Sequence, residues 1–238
     1  RHTRDLDLYR QDDPTSYRQA AEELVETMNE TTIGPYRFSV TAPKDETVSG
    51  TIENINLTVE VFHGVSSILS FGIDVSGDLH VPAVTDTLTV KRSDHIDLEF
   101  MDREYTIRSY PVENQIADKV AAMYELHRHD NQPSTRYRDL YDLALIALEL
   151  SVNAADLAHA LNTQAQVRGL TLPQKIRLPS STWIDGYARL VRNLPNPRKE
   201  IADVNEALHI VGTLVNPILT ASADPVTGTW SPNAGRWS

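Results

Sequence analysis

Hydrophobic and polar residues alternate along much of the first 110 residues. The segments 36–41, 55–61 and 68–75 place apolar side chains at every second position, and residues 5–8 repeat the pattern on a smaller scale. Successive side chains of a strand project to opposite faces, so this alternation predicts half-buried strands. Residues 16–29 instead carry apolar side chains at helical spacing, and we predict one helix there.

After Tyr110-Pro111 the pattern becomes helical. Apolar residues recur three and four positions apart in five segments, 112–128, 134–150, 153–167, 183–194 and 200–214. Residues 225–238 are rich in Gly, Pro, Ser and Asn and are predicted to be an irregular tail. We therefore predict an α+β chain. Its parts are an N-terminal α/β domain at 1–109, a helical domain at 110–224 and the tail at 225–238.

The amino-acid composition excludes several kinds of site. The 238 residues include no cysteine, which excludes disulfides, thiolate metal sites and thiol nucleophiles. No run approaches the roughly 18 apolar residues of a membrane-spanning helix, and no secretory signal is visible. We expect no membrane association and a cytoplasmic location.

The net charge of −11 is unevenly distributed. Residues 1–110 carry 10 basic and 20 acidic side chains, whereas residues 111–238 carry 12 and 13. An acidic surface does not attract nucleic acid, so any RNA is expected along the second half. Basic residues are close together in sequence there: Arg168, Lys175, Arg177, Arg189, Arg192, Arg198 and Lys199. The alternative, that they are ordinary solvated helix residues, stays open.

Two carboxylates stand at alternate positions near the start of the chain. Asp5 and Asp7 would share one strand face, about 6.6 Å apart, while Leu6 and Leu8 point to the other face and into a core. Paired carboxylates repel each other, but their oxygen atoms suit Mg²⁺ shared with a substrate phosphate. A solvated strand face is the simpler alternative.

Asp74 is a further candidate carboxylate, on the strand predicted at 68–75. Asp74 lies between Ile73 and Val75 and faces away from the apolar side of its predicted strand. Asp97 and Glu99 form a rival pair, which we interpret as the polar outer face of a later hairpin. The alternative, that Asp74 begins the turn at Ser76-Gly77-Asp78, stays open.

Lys119 interrupts an apolar helix stripe formed by Ile116, Val120 and Met123. A lysine in that position must extend to solvent, pair with an acid or serve a site. On the next helix, Asp139 lies beside the apolar stripe and Asp142 lies away from it, so Asp139 is the predicted site residue. Arg136 and Arg138 precede it in the first turn, where helix electrostatics disfavour cations.

Four motifs together resemble the AbiEii family of nucleotidyltransferase toxins, to which MenT-type toxins are related, within the polymerase-beta-type superfamily. The first two are Arg1-x-Thr3-x-Asp5-Leu6-Asp7 and Ile73-Asp74-Val75. The third, Tyr110-Pro111-x-Glu113-x-x-x-Ala117-Asp118-Lys119, has Asp118 where the family has Glu. The fourth, Arg136-x-Arg138-Asp139-x-Tyr141-Asp142-Leu143, has Arg138 where the family has Lys. The family's Gly-Gly or Gly-Ser turn would precede Arg1, so we expect a truncated start.

The resemblance implies a fold and residue roles. It implies a nucleotidyltransferase-type mixed sheet with helices, followed by a helical domain. The implied ligands of Mg²⁺, with two ions expected, are Asp5, Asp7 and Asp74. The residues implied in catalysis are Asp5, Asp7, Lys119 and Asp139, and those implied at the nucleotide are Thr3, Lys119, Arg136 and Arg138.

The implied activity is metal-dependent transfer of a nucleotide from an NTP to RNA, with the tRNA 3′ end as the expected acceptor. The partner implied by a toxin–antitoxin pair is a cognate antitoxin. Two alternatives stay open: a transferase that modifies a protein or small molecule, and an inactive module that acts by binding alone.

Overall fold

The computed structural model describes residues 5–11, 16–43, 54–77, 85–92, 97–126, 132–220 and 225–238. By contacts the chain divides into two compact units, Arg1–Ser109 and Tyr110–Ser238. Each has its own hydrophobic core. The α+β fold class predicted from the sequence is confirmed.

The N-terminal unit is built on a mixed five-stranded sheet. Its strands are β1 (Asp5–Tyr9), β2 (Thr32–Ile33), β3 (Tyr36–Thr41), β4 (Asn54–His63) and β5 (Ser66–Ser76). Their order across the sheet is β1-β5-β4-β3-β2, with β1 parallel to β5 and every other pair antiparallel. Gly64, at a φ of 60°, helps to form the tight turn between β4 and β5.

Helix α1 (Tyr17–Met28) covers one face of this sheet. Its apolar stripe meets alternate residues of the strands, and the buried members of the core are Tyr17, Ala21, Val40, Leu57, Val59, Ile73 and Val75. The other face of β4 is polar and exposed, as its alternating burial requires. The face of the sheet opposite α1 therefore carries polar side chains.

Leu6 and Leu8 were predicted to point into a core, but the structure leaves both side chains partly exposed. Leu6 is 46% exposed and Leu8 is 38% exposed. Both lie beside core residues of β5, but β1 is an edge strand, and α1 packs mainly over β3, β4 and β5. An edge position therefore leaves these leucines half covered.

A separate antiparallel hairpin completes the N-terminal unit. It consists of β6 (Asp86–Lys91) and β7 (Glu104–Ser109). The rival carboxylates Asp97 and Glu99 lie in the link between these strands, where Asp97 pairs with Arg103 at 3.4 Å. Asp97 therefore has an ion-pair partner within the hairpin itself.

The C-terminal unit is mainly helical. It contains α2 (Val112–Tyr124), α3 (Tyr137–Glu149), α4 (Ala154–Val167), α5 (Trp183–Arg192) and α6 (Val204–Thr220). Helix α3 packs against α2, α5 and α6, and eight of its thirteen residues are buried. A helix enclosed in this way has no narrow apolar stripe. No helix in the described parts of the chain has the length and apolar character needed to cross a membrane.

Residues 225–238 differ from the irregular tail predicted from their composition. They contain β9 (Thr229–Ser231) and β10 (Arg236–Trp237), which form a three-stranded sheet with β8 (Val152–Asn153). Trp230 is buried, and its indole N–H donates to the Ala147 carbonyl at 2.8 Å. Trp237 packs against Trp230 and donates its indole N–H to the Leu214 carbonyl at 3.1 Å, so two tryptophans anchor a segment whose other residues are mostly typical of loops.

Replacing Trp230 with alanine is expected to destabilise the C-terminal unit by about 4 kcal/mol, because a large cavity and an unpaired carbonyl would remain. Chemical denaturation followed by far-ultraviolet circular dichroism measures the change. Asn233→Ala, at an exposed turn in the same segment, is the control and should change stability little. A Trp230→Ala variant as stable as wild type would show that this segment does not contribute to the core.

Candidate active site

Asp7 and Asp74 are direct neighbours on adjacent parallel strands. The register of β1 and β5 pairs Asp7 with Asp74 and Asp5 with Gly72. Paired residues of neighbouring strands share a sheet face, so the two carboxylates lie on the same side. Asn56 of β4 pairs with Asp74 in turn and extends this polar row. Asp7 is exposed and Asp74 half-buried.

The core explains why the row faces outward. Leu6 and Leu8 pair with Ile73 and Val75, the two buried residues on either side of Asp74. Placing these apolar residues on the α1 side forces Asp7 and Asp74 to the opposite face. Burial also raises the pKa of Tyr9, at the end of β1, further above physiological pH.

Two predicted residues lie partly or wholly outside the described structure. Thr3 is outside it, and for Asp5 only the backbone in β1 is described. Within the described ranges no group of three or more His, Asp or Glu side chains could hold a metal ion. That finding does not bear on the predicted set of Asp5, Asp7 and Asp74, because one of its three side chains is not described.

A second polar cluster lies inside the C-terminal unit. The Lys119 ammonium on α2 donates to Asp139 Oδ1 at 3.1 Å and to Asp142 Oδ2 at 3.0 Å, both on α3. Arg136 Nε donates to the other oxygen of Asp139 at 2.6 Å. Asp139 and Asp142 are 4% and 8% exposed, and the Lys119 side chain is 24% exposed. Two cations and two carboxylates thus form a charge-balanced network that fixes the lysine.

Asp142 is the residue that the sequence reasoning placed wrongly. It was predicted to lie away from the apolar stripe of α3, yet it is buried and contacts Lys119 as closely as Asp139 does. Residues three positions apart are neighbours on a helix surface, so Asp139 and Asp142 can hold one lysine together. This spacing, inside the fourth motif, was the available signal.

The arginines before α3 have different surroundings. Arg136 is the residue preceding the helix and pairs with Asp139 in the first turn, which offsets its unfavourable position near the positive end of the helix dipole. Arg138 is exposed, and its side chain has no hydrogen bond or ion pair with the described residues. The two arginines therefore differ in how freely they can reach a ligand.

The third motif is held by its own side chains. The Tyr110 hydroxyl donates to Asp118 Oδ2 at 2.7 Å, and Arg168 lies 3.5 Å from the other oxygen of Asp118. Glu113 accepts a hydrogen bond from the Asn153 backbone N–H at 2.8 Å. These contacts orient α2, from which Lys119 projects.

The basic residues of the second half fall into two groups. Arg168 and Arg198 are engaged in ion pairs with Glu125 and Glu149 respectively. The others are exposed and form no ion pair with the described residues: Lys175, Arg177, Arg189, Arg192 and Lys199. Two of the seven basic residues are therefore already engaged with carboxylates.

The fold of this chain has a counterpart among proteins of known structure. The structure is similar to MenT4, a nucleotidyltransferase toxin from Mycobacterium tuberculosis H37Rv, with a TM-score of 0.50 and 15% sequence identity. The match covers 93% of this chain and 70% of MenT4. No curated protein sequence matches the chain.

The family model described as "Nucleotidyl transferase AbiEii toxin, Type IV TA system" matches residues 1–209. The chain belongs to this family. It is a toxin nucleotidyltransferase of a type IV toxin–antitoxin system, and membership implies an NTP substrate and an antitoxin partner.

Proposed function

We propose that this toxin transfers a nucleotide from an NTP to the 3′ end of an RNA, with tRNA as the acceptor. The observation that carries the proposal is the placement of Asp7 beside Asp74 on one open sheet face. Adjacent carboxylates on a parallel strand pair repel each other, and a cation bound between them would relieve that repulsion.

The donor set suits Mg²⁺, which prefers carboxylate oxygens and shares its remaining positions with substrate phosphates. Asp7 and Asp74, with Asp5 one position away along β1, are the residues that would hold it, and two ions are the expected number. Bound there, the metal would neutralise charge on the reacting phosphate. Asn56, which pairs with Asp74 on the other side of β5, would place a neutral amide next to the substrate.

Lys119 is proposed to contact the triphosphate, together with Arg136, Arg138 and Thr3. The two buried carboxylates that hold Lys119 would restrict its ammonium to one position, and preorganised cations are what phosphoryl chemistry requires. Arg138, with no partner among the described residues, is the more adaptable of the two arginines. Asp139 accepts hydrogen bonds from two cations, so its proposed part in catalysis is to position Lys119.

In the proposed reaction, the RNA 3′ hydroxyl oxygen forms a bond to the α-phosphorus of the NTP. The bond from that phosphorus to the bridging oxygen breaks, and pyrophosphate leaves. Asp74 is the proposed acceptor of the hydroxyl proton. A tRNA with an added nucleotide at its 3′ end would no longer accept an amino acid. The resulting loss of aminoacylated tRNA in the cytoplasm would account for the toxicity.

The test is to incubate the protein with Mg²⁺, each α-labelled NTP in turn and total RNA. We expect label from one NTP to enter RNA of tRNA size, to be removed by a 3′ exonuclease, and to be lost when the metal is chelated. Label on the protein fraction would instead indicate a protein-modifying transferase. The absence of transfer from all four NTPs would indicate a binding module.

A further inference from the structure

A cleft on the C-terminal unit lies between the start of α3 and the length of α5. Its volume is about 460 Å³, within the range of sites that bind small molecules. The apolar part of its wall comes from Tyr137, Gly186 and Leu190. The polar part includes Asp185, Arg189 and Asn193. An aromatic ring, a cation, a carboxylate and an amide therefore line one cavity.

The Tyr137 ring is fixed in the wall of this cleft. It packs edge-on against the buried Trp183, with centroids 5.2 Å apart and planes at 82°. Gly186 lies so close to the ring that a Cβ at this position would overlap it. A ring held on two sides loses little further freedom when a ligand stacks on it.

Arg189 brings a positive charge to the cleft. It follows Asp185 by one helical turn, yet the two form no ion pair, and Arg189 has no carboxylate partner elsewhere in the described chain. Lys119, Arg136, Arg168 and Arg198 of the same unit all have such partners. The cation favours one phosphate, whereas Asp185 beside it disfavours a highly charged anion such as a triphosphate.

We propose that this cleft binds one nucleotide of the single-stranded RNA acceptor, an inference that rests on the proposed function. The base stacks on Tyr137, its phosphate contacts Arg189, and its polar edge meets Asp185 and Asn193. A carboxylate accepts hydrogen bonds from amino and imino groups, so Asp185 selects bases that carry them. Tyr137 stands between Arg136 and Arg138, the proposed triphosphate contacts, which favours an RNA strand over a free nucleotide.

The test measures binding of a four-nucleotide single-stranded RNA to the full chain by calorimetry, without Mg²⁺ or NTP. Arg189→Gln is expected to weaken binding about tenfold, because a charge-assisted contact to phosphate is lost. Arg192→Gln is the matched control: it removes the same charge from the same last turn of α5 but does not line the cleft. Its affinity should stay within about twofold of wild type. Asp185→Asn should change the order of preference among the four homopolymers.

Equal losses in Arg189→Gln and Arg192→Gln would overturn the proposal in favour of general electrostatic attraction. Tighter binding of nucleoside monophosphates than of the oligonucleotide would overturn the assignment to an RNA strand. If Arg189→Gln binds the oligonucleotide like wild type while labelled NTP is still transferred to RNA, the cleft assignment fails and the proposed function stands. Loss of transfer in the wild-type protein overturns the function itself.

Discussion

An Asp7→Asn variant is expected to lose nucleotidyl transfer by about 10³-fold or more while keeping its fold. The substitution preserves the size of the side chain and removes one anionic oxygen donor beside Asp74. Preorganised charge at the reacting phosphate contributes several kcal/mol to catalysis, so its loss dominates the outcome. Steady-state transfer of labelled NTP to RNA measures the effect.

The stability of the same variant should move in the opposite direction. Like charges on neighbouring strands repel, and removing one is expected to raise the free energy of unfolding by about 0.5 kcal/mol. Glu60→Gln serves as the control, since it neutralises another exposed carboxylate of the same sheet, on β4. It should leave transfer unchanged. Reduced stability with retained transfer in Asp7→Asn would assign the aspartate pair to structure.

The strands of the N-terminal sheet were largely predictable, because alternation is a local signal. The prediction of 36–41 matches β3, and 55–61 and 68–75 fall within β4 and β5. That Asp74 comes from a strand neighbouring that of Asp7 was expected from the family resemblance. Their register depends on which residues the α1 core can bury, a property of the assembled sheet.

The errors arose where long-range contacts decide. A helical-wheel argument assumes one exposed side, but α3 is surrounded by α2, α5 and α6, so Asp142 is buried despite its position on the wheel. The tail was misread because its composition is that of a loop, whereas pairing of β9 with β8 and burial of Trp230 order it. Neither contact leaves a periodic signal in the sequence.

The second large effect is expected when Lys119 is replaced by methionine, which should lower the stability of the C-terminal unit. Lysine and methionine are similar in length, so Lys119→Met should preserve packing between α2 and α3. It leaves the buried Asp139 and Asp142 without their shared donor. Breaking a buried ion pair from one side costs 3–5 kcal/mol when both partners are fully enclosed. Because Lys119 is partly exposed and Arg136 still holds Asp139, we expect a loss of about 2 kcal/mol.

Lys119→Met is also expected to weaken NTP binding, and a double variant separates this effect from destabilisation. Adding Asp142→Asn removes one of the two carboxylates that lose the ammonium, so Lys119→Met/Asp142→Asn should recover roughly 1 kcal/mol of stability. NTP affinity should remain low, because the ammonium is still missing. Arg198→Met is the control for a cation of the same unit with carboxylate partners away from α2; it should leave NTP affinity unchanged. Denaturation curves and equilibrium NTP titrations give both quantities. If the double variant regains NTP binding along with stability, Lys119 acts only by holding α2 and α3 together.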